Sequence, residues 1–203
     1  MRRFVITLLA LFGVMSLSAQ TTPQEWISAL NKTLGERYAF GITVTVGTGE
    51  SSNKLHGTIK VEGDAYYLML GTMEVYSDGK LRYEINNERK EVVEDRVNLE
   101  ACDLLSNPTR AFSFVPQEFL SEVTSATNER ITLRLTPKSE AMGIDAITLT
   151  LERSGSQVVP VAISYNYDGD AVAITLSHAD VSDAKLPRWD KSAYRAYDIV
   201  SFL

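Results

Sequence analysis

Between residues 38 and 46 the chain alternates. Tyr38, Phe40, Ile42, Val44 and Val46 are apolar, while Ala39, Gly41, Thr43 and Thr45 between them are small or polar. A period of two is the mark of a strand with one apolar face. The same alternation returns at Leu55, Gly57, Ile59 and Val61, at Leu81, Tyr83 and Ile85, and at Ile131, Leu133 and Leu135. It returns again at Ile147, Leu149 and Leu151, at Val161, Ile163, Tyr165 and Tyr167, and at Val172, Ile174 and Leu176. Residues 65–70 are apolar throughout, which predicts a strand covered on both faces. Gly71-Thr72 breaks it, and Met73 and Val75 resume. Gly63-Asp64, Ser77-Asp78-Gly79-Lys80, Asn86-Asn87, Ser154-Gly155-Ser156 and Asp168-Gly169-Asp170 are tight-turn signatures, so neighbouring strands are expected to run antiparallel. Ahead of them lies a helix start. Thr22 caps, Pro23 suits the first helical position, and Glu25 sits where a capping box needs an acid. Trp26, Ile27, Leu30 and Leu34 then recur at helical spacing up to Gly35, predicting an amphipathic helix laid against the sheet.

The middle of the chain differs. From 99 to 123 the alternation is lost, and Leu99, Leu104, Leu105, Phe112, Phe114, Phe119 and Leu120 are scattered among Asn107, Pro108 and Pro116. Two short helices with irregular joins are expected here, one opening near Pro108, forming a lid or a plug over one end of the sheet. The predicted fold is mainly β, of the α+β kind. It is a single, strongly curled antiparallel sheet forming a half-open barrel, with an N-terminal helix and a short helical lid insert.

Residues 1–19 read as a cleavable signal peptide. Arg2 and Arg3 precede an apolar run over 4–14, too short to span a bilayer, and Ser16, Ser18 and Ala19 supply small residues for a cut near Ala19. No cysteine stands near that cut, so no lipid attachment is expected. Residues 20–203 then form one domain, of a length that suits a sizeable core. The full chain carries 26 acidic and 20 basic residues; without Arg2 and Arg3 the balance is 26 against 18, a formal charge of −8. Nucleic-acid binding needs clustered Lys and Arg, and that balance argues against it. Cys102 is the single cysteine, so no internal disulfide forms; its neighbours suggest a buried apolar role.

Catalytic chemistry finds little support. His56 and His178 are the two histidines, neither near a cysteine or a second histidine at helical spacing, so no metal is expected. There is no Gly-x-Ser-x-Gly elbow and no phosphate-cradling glycine loop. No cofactor is expected, and a hydrolase would need His56 or His178 beside a serine and an acid. The aromatics are the remaining signal. Tyr66, Tyr67, Tyr76, Tyr83, Tyr165, Tyr167, Trp189, Tyr194 and Tyr197 either pack the sheet or form a rim beneath which apolar tails can lie.

Five pieces, in order, resemble the LolA family of periplasmic outer-membrane lipoprotein carriers. The exported start leads into an amphipathic helix and the strand at 38–46. Gly57-Thr58-Ile59-Lys60-Val61 precedes the aromatic pair Tyr66-Tyr67. Val75-Tyr76-Ser77-Asp78-Gly79-Lys80, with Tyr83 and Asn86, is similar to the family's Asp-Gly-Lys hairpin. Leu135-Thr136-Pro137-Lys138 and the strand at 144–151 resemble the later pair, and the stretch 189–200 resembles the closing segment. The resemblance implies a periplasmic, non-enzymatic monomer. It would take the acyl chains of outer-membrane lipoproteins from an inner-membrane lipoprotein-releasing ABC transporter and carry them towards the outer membrane. Expected cavity residues are Phe40, Ile42, Val44, Ile59, Val61, Met69, Tyr83, Ile85, Leu133, Leu149 and Ile163; expected lid residues are Leu104, Leu105, Phe112, Phe114 and Phe119. One departure stands out. Where the family has a Lys-Arg-Pro stretch whose arginine helps hold the lid, this chain has Val61-Glu62-Gly63-Asp64, leaving Arg82 and Arg110 as candidate substitutes. The alternative function is a sensing or scaffolding module on the same fold. It would bind an envelope protein through a sheet edge or the insert.

Overall fold

The computed structural model describes residues 22–47, 52–101, 103–110, 112–139, 144–167, 169–178 and 185–203. The expectations for the signal segment and for Cys102 lie outside the described residues. Helix α1 (Pro23–Leu34) opens as its sequence requires: the Thr22 side chain accepts from the Glu25 N–H, and Pro23 occupies the first turn. Gly35 ends it, its N–H returning to the Asn31 carbonyl. Trp26, Ile27 and Leu30 are sealed from solvent, each burial being worth roughly 1.5–3 kcal/mol. Thr33 ties the helix down, since its hydroxyl accepts the Val158 N–H at 3.0 Å.

Twelve strands follow in the described residues: β1 (Arg37–Val46), β2 (Asn53–Glu62), β3 (Ala65–Leu70), β4 (Met73–Ser77), β5 (Leu81–Asn86), β6 (Glu91–Arg96), β7 (Phe119–Ala126), β8 (Arg130–Pro137), β9 (Ile147–Ser154), β10 (Gln157–Tyr167), β11 (Asp170–His178) and β12 (Asp198–Ser201). They form one unclosed, curled sheet in the order β12-β6-β5-β4-β3-β2-β1-β11-β10-β9-β8-β7. Every neighbouring pair is antiparallel except β12 with β6, which is parallel. The 78–80 turn needs its glycine: Gly79 has φ +92°, and a Cβ there would stand 2.7 Å from the Asp64 Cβ.

The register fixes one continuous apolar row. Leu133 faces Leu149, Leu149 faces Ile163, Ile163 faces Ile174, and Ile174 faces Val44. This is the concave side. Helix α1 packs there on β10, touching β7 and the short helix α2 (Val115–Glu118). Among the described residues, the insert between β6 and β7 contains a 3₁₀ turn at Pro108–Arg110 and then α2, and the 3₁₀ turn packs on β2 and β3.

Two strands escaped the sequence reading. β7 takes in Phe119, which is therefore the first residue of an edge strand rather than part of the insert. The tail supplies β12, and its aromatic residues lie against the outer face of β4 and β5.

Candidate binding cavity beneath the insert

Most of the expected cavity row lies on the concave face and is buried: Phe40, Ile42, Val44, Ile59, Val61, Leu133, Leu149 and Ile163 all belong to the main core. Leu104, Phe112, Phe114 and Phe119 are buried in the same core, and Leu105 packs partly buried against it. Phe114 and Phe119 hold their rings 5.8 Å apart.

Three residues are placed differently. Met69 pairs with Thr58 and Glu74 on the convex face and is 36% exposed. Tyr83 and Ile85 are also on the convex face, because Val75 of the concave row pairs with Glu84, not with either of them. The register therefore turns the polar row of β5, Arg82 and Glu84, towards the concave side. The apolar row of β5 is still covered, but by the tail. Ile85 and Val92 are fully buried, Tyr83 stacks on Trp189 at 4.6 Å, and Trp189 stacks on Tyr194 at 5.0 Å.

Beneath this stack sits Glu74. One carboxylate oxygen accepts from Tyr67 at 3.1 Å and Tyr76 at 2.8 Å, the other from the Asn87 amide at 2.8 Å. Burial pushes the Glu74 carboxyl up, but these donors outweigh it and hold it below the ordinary carboxylate range. Tyr197 donates to Asn87 at 2.9 Å. Six of the aromatics considered for a rim are thus the clamp that fastens the tail.

A cavity of about 30 Å³ remains between insert and sheet, roughly the room of two water molecules. The insert contributes Leu104, Phe112, Phe114 and Val115 to its wall; the sheet contributes Leu135, Ile147, Leu149, Ile163, Tyr165 and Ile174. Asp103 is its one charged lining residue, and its carboxylate is fixed by the N–H groups of Leu105 and Ser106.

The insert is bonded to the sheet by tyrosines. The Tyr38 hydroxyl of β1 donates to the Pro108 carbonyl, and the Tyr66 hydroxyl of β3 donates to the Ser106 carbonyl at 3.2 Å. Burial pushes both hydroxyls above the ordinary tyrosine range. Asn107, itself buried, ties the insert internally through the Asn98 carbonyl and the Thr109 hydroxyl. Arg82 lies beside the Tyr66 hydroxyl and pairs with Glu84 at 2.7 Å. The bonding of these tyrosines to the insert is not legible in the sequence, where Tyr38 reads as a strand residue and Tyr66 as a sheet-packing or rim aromatic.

His56 hydrogen-bonds Thr43 on the exposed convex face. Among the described residues no group of acids, histidines and cysteines is arranged to hold a metal, and no helix is long and apolar enough to cross a membrane.

The fold is similar to that of solved structures. An uncharacterized conserved protein from Thermus thermophilus superposes with a TM-score of 0.54 at 12% identity, covering 88% of this chain and 98% of that one. The fold is also similar to that of LolA superfamily proteins. Such a protein from Nitrosomonas europaea gives a TM-score of 0.40 at 8% identity, covering 86% of this chain and 97% of that one. A putative outer membrane lipoprotein-sorting protein domain from Vibrio parahaemolyticus gives 0.46 at 9% identity over 85% and 96%. No protein-family model and no curated protein matches the sequence.

Proposed function

We propose that this protein is an exported, LolA-like carrier that shields acyl chains between its insert and the concave face of the sheet. Residues 1–19 would serve as its export signal, the periplasm as its compartment, and a lipoprotein as cargo. The observation that carries this reading is the wall beneath the insert, whose one charged lining residue is Asp103, roofed by a segment that rests on the sheet through buried apolar side chains and two tyrosine hydrogen bonds. Each buried methylene supplies about 0.8 kcal/mol, so a few chains provide ample affinity, and release requires an acceptor that offers nearly as much. Because the cavity is small, loading needs the insert to lift.

The test is release of lipoprotein from spheroplasts by the purified mature protein. The expected result is a soluble one-to-one complex with triacylated lipoprotein in the supernatant, supplied by an inner-membrane ABC transporter. No release, together with a native mass free of lipid, overturns the carrier reading. The filled interior favours the second reading in that event: a binding module that holds an envelope protein and exchanges no lipid.

A further inference from the structure

The β12 edge of the sheet departs from the rest of the surface. Eight large apolar side chains are exposed among the described residues, and four of them, Ile199, Val200, Phe202 and Leu203, stand within five positions of each other. The segment is held in place: β12 pairs in register with β6, and the Phe202 N–H donates to the Glu94 carbonyl at 2.9 Å. Ile199 lies in the convex row with Val92 and Ile85, whereas Val200 lies in the opposite row with Val93 and Glu84. The edge is therefore apolar on both of its sides. Edge strands are ordinarily blunted by charge, and β12 carries one charged residue, Asp198. A fixed cluster of exposed apolar groups marks a contact surface.

The stretch that leads to this edge is basic. Lys185, Arg188, Lys191 and Arg195 fall within eleven residues that hold one acid, Asp190. Residues 185–203 carry four cations against Asp190 and Asp198, a balance of +2; residues 20–184 carry 14 against 24, a balance of −10. All four cations are exposed, and among the described residues none of them is held in a salt bridge. Trp189 and Tyr194 stack this stretch on the convex face of β4 and β5. The adjoining β5–β6 turn is neutral in sum, with Glu88 and Glu91 against Arg89 and Lys90. Exposed charges more than about 10 Å away are screened at 0.1 M salt, so a surface meeting this corner reads its local sign and not that of the whole chain.

We propose that this corner docks on an anionic lipid surface. The cations lie over lipid phosphates, and Phe202, Leu203 and Val200 sink between the head groups. Each Lys or Arg at such a surface is worth about a fivefold gain in affinity, and the amphipathic rings of Trp189, Tyr194 and Tyr197 suit the depth at which water meets hydrocarbon. The breadth of the site favours a plane over a peptide. The basic stretch is anchored two to three strands in from β12, about 10–15 Å, beyond the reach of a single strand added along the edge. Docking uses the outside of the sheet and does not rest on the carrier reading.

The experiment is co-sedimentation of the full mature chain with vesicles of phosphatidylcholine alone and of phosphatidylcholine carrying phosphatidylglycerol. Binding to the anionic vesicles is expected to be at least about tenfold tighter than to the neutral ones, and the preference is expected to vanish in about 1 M salt, where charges are screened within about 3 Å. Arg188→Gln combined with Lys191→Gln removes two of the four cations and is expected to weaken anionic binding by more than about tenfold. Phe202→Ser is expected to weaken it about tenfold while keeping its dependence on salt. These side chains are exposed, so the variants are expected to match the natural protein in circular dichroism and denaturant midpoint. Equal binding to both vesicles, or binding that neither variant changes, overturns the lipid surface. So does absence of binding; a dimer that Phe202→Ser dissociates then assigns the edge to a second copy of the chain. The vesicles hold no lipoprotein, so failure here leaves the carrier reading and its spheroplast test standing.

Discussion

Two hydroxyl groups fasten the roof of the cavity, and each can be removed alone. Tyr38→Phe leaves the Pro108 carbonyl without its donor, and Tyr66→Phe does the same to the Ser106 carbonyl. Each loss is expected to cost about 1–2 kcal/mol. It should read as faster hydrogen exchange over residues 98–118 while the strands stay protected. The pH dependence follows from the direction of the shifts. Both folded hydroxyls ionise above the ordinary tyrosine value of about 10. Their contribution is therefore complete below that value and is lost as pH rises beyond it. Denaturation midpoints between pH 9 and 11 should fall less steeply in Tyr38→Phe than in the natural protein. The roof's own aromatics are less forgiving. Phe112 and Phe114 are buried in the main core, so replacing either by Asp would unfold the protein rather than report on ligand capture. Phe112→Ala is the usable variant, lowering stability by about 3 kcal/mol.

The strands show what a sequence does and does not reveal. Period two located β1, β2, β5 and β8–β11 because each has one wet and one dry face. It cannot say which face is which. In β5 the row Leu81, Tyr83, Ile85 reads like any inward row, yet the pairing of Val75 with Glu84 sends it outwards. The tail that buries it arrives about a hundred residues later. β7 was hidden for another reason: Leu120 is exposed and Ser121 is turned inwards, inverting the expected polarity. β12 is four residues long and pairs in parallel with a distant strand, with no turn to announce it. The tail clamp gives an element-scale test. Trp189→Ala removes stacking on Tyr83 and Tyr194 and is expected to cost about 2 kcal/mol, loosening β12 in hydrogen exchange. Acid should do likewise. Glu74 is held below the ordinary carboxylate range, so its contribution is present above roughly pH 4.3 and is lost as pH falls through its folded value. Tryptophan fluorescence followed from pH 6 to 3 should show a step that Glu74→Gln lacks.

At the scale of the whole molecule, β2 and β3 approach each other closely at Gly57. A Cβ there would meet the Met69 carbonyl oxygen at 1.9 Å, so the backbones of β2 and β3 touch on the two strands that carry the 3₁₀ turn of the insert. Gly57→Ala is expected to cost about 2–3 kcal/mol, measurable as a lower denaturant midpoint. The sheet also begins at β12 and ends at β7 without the two edges meeting. A closed barrel has a circumference set by its strands and cannot enlarge without breaking a ladder. An open scroll is elastic. It can unroll by a small change of twist at each of many joints, keeping every interstrand bond while its lumen grows. For the proposed carrier, a lifted insert and a slight change of curvature would together enlarge the narrow cavity without breaking a strand ladder.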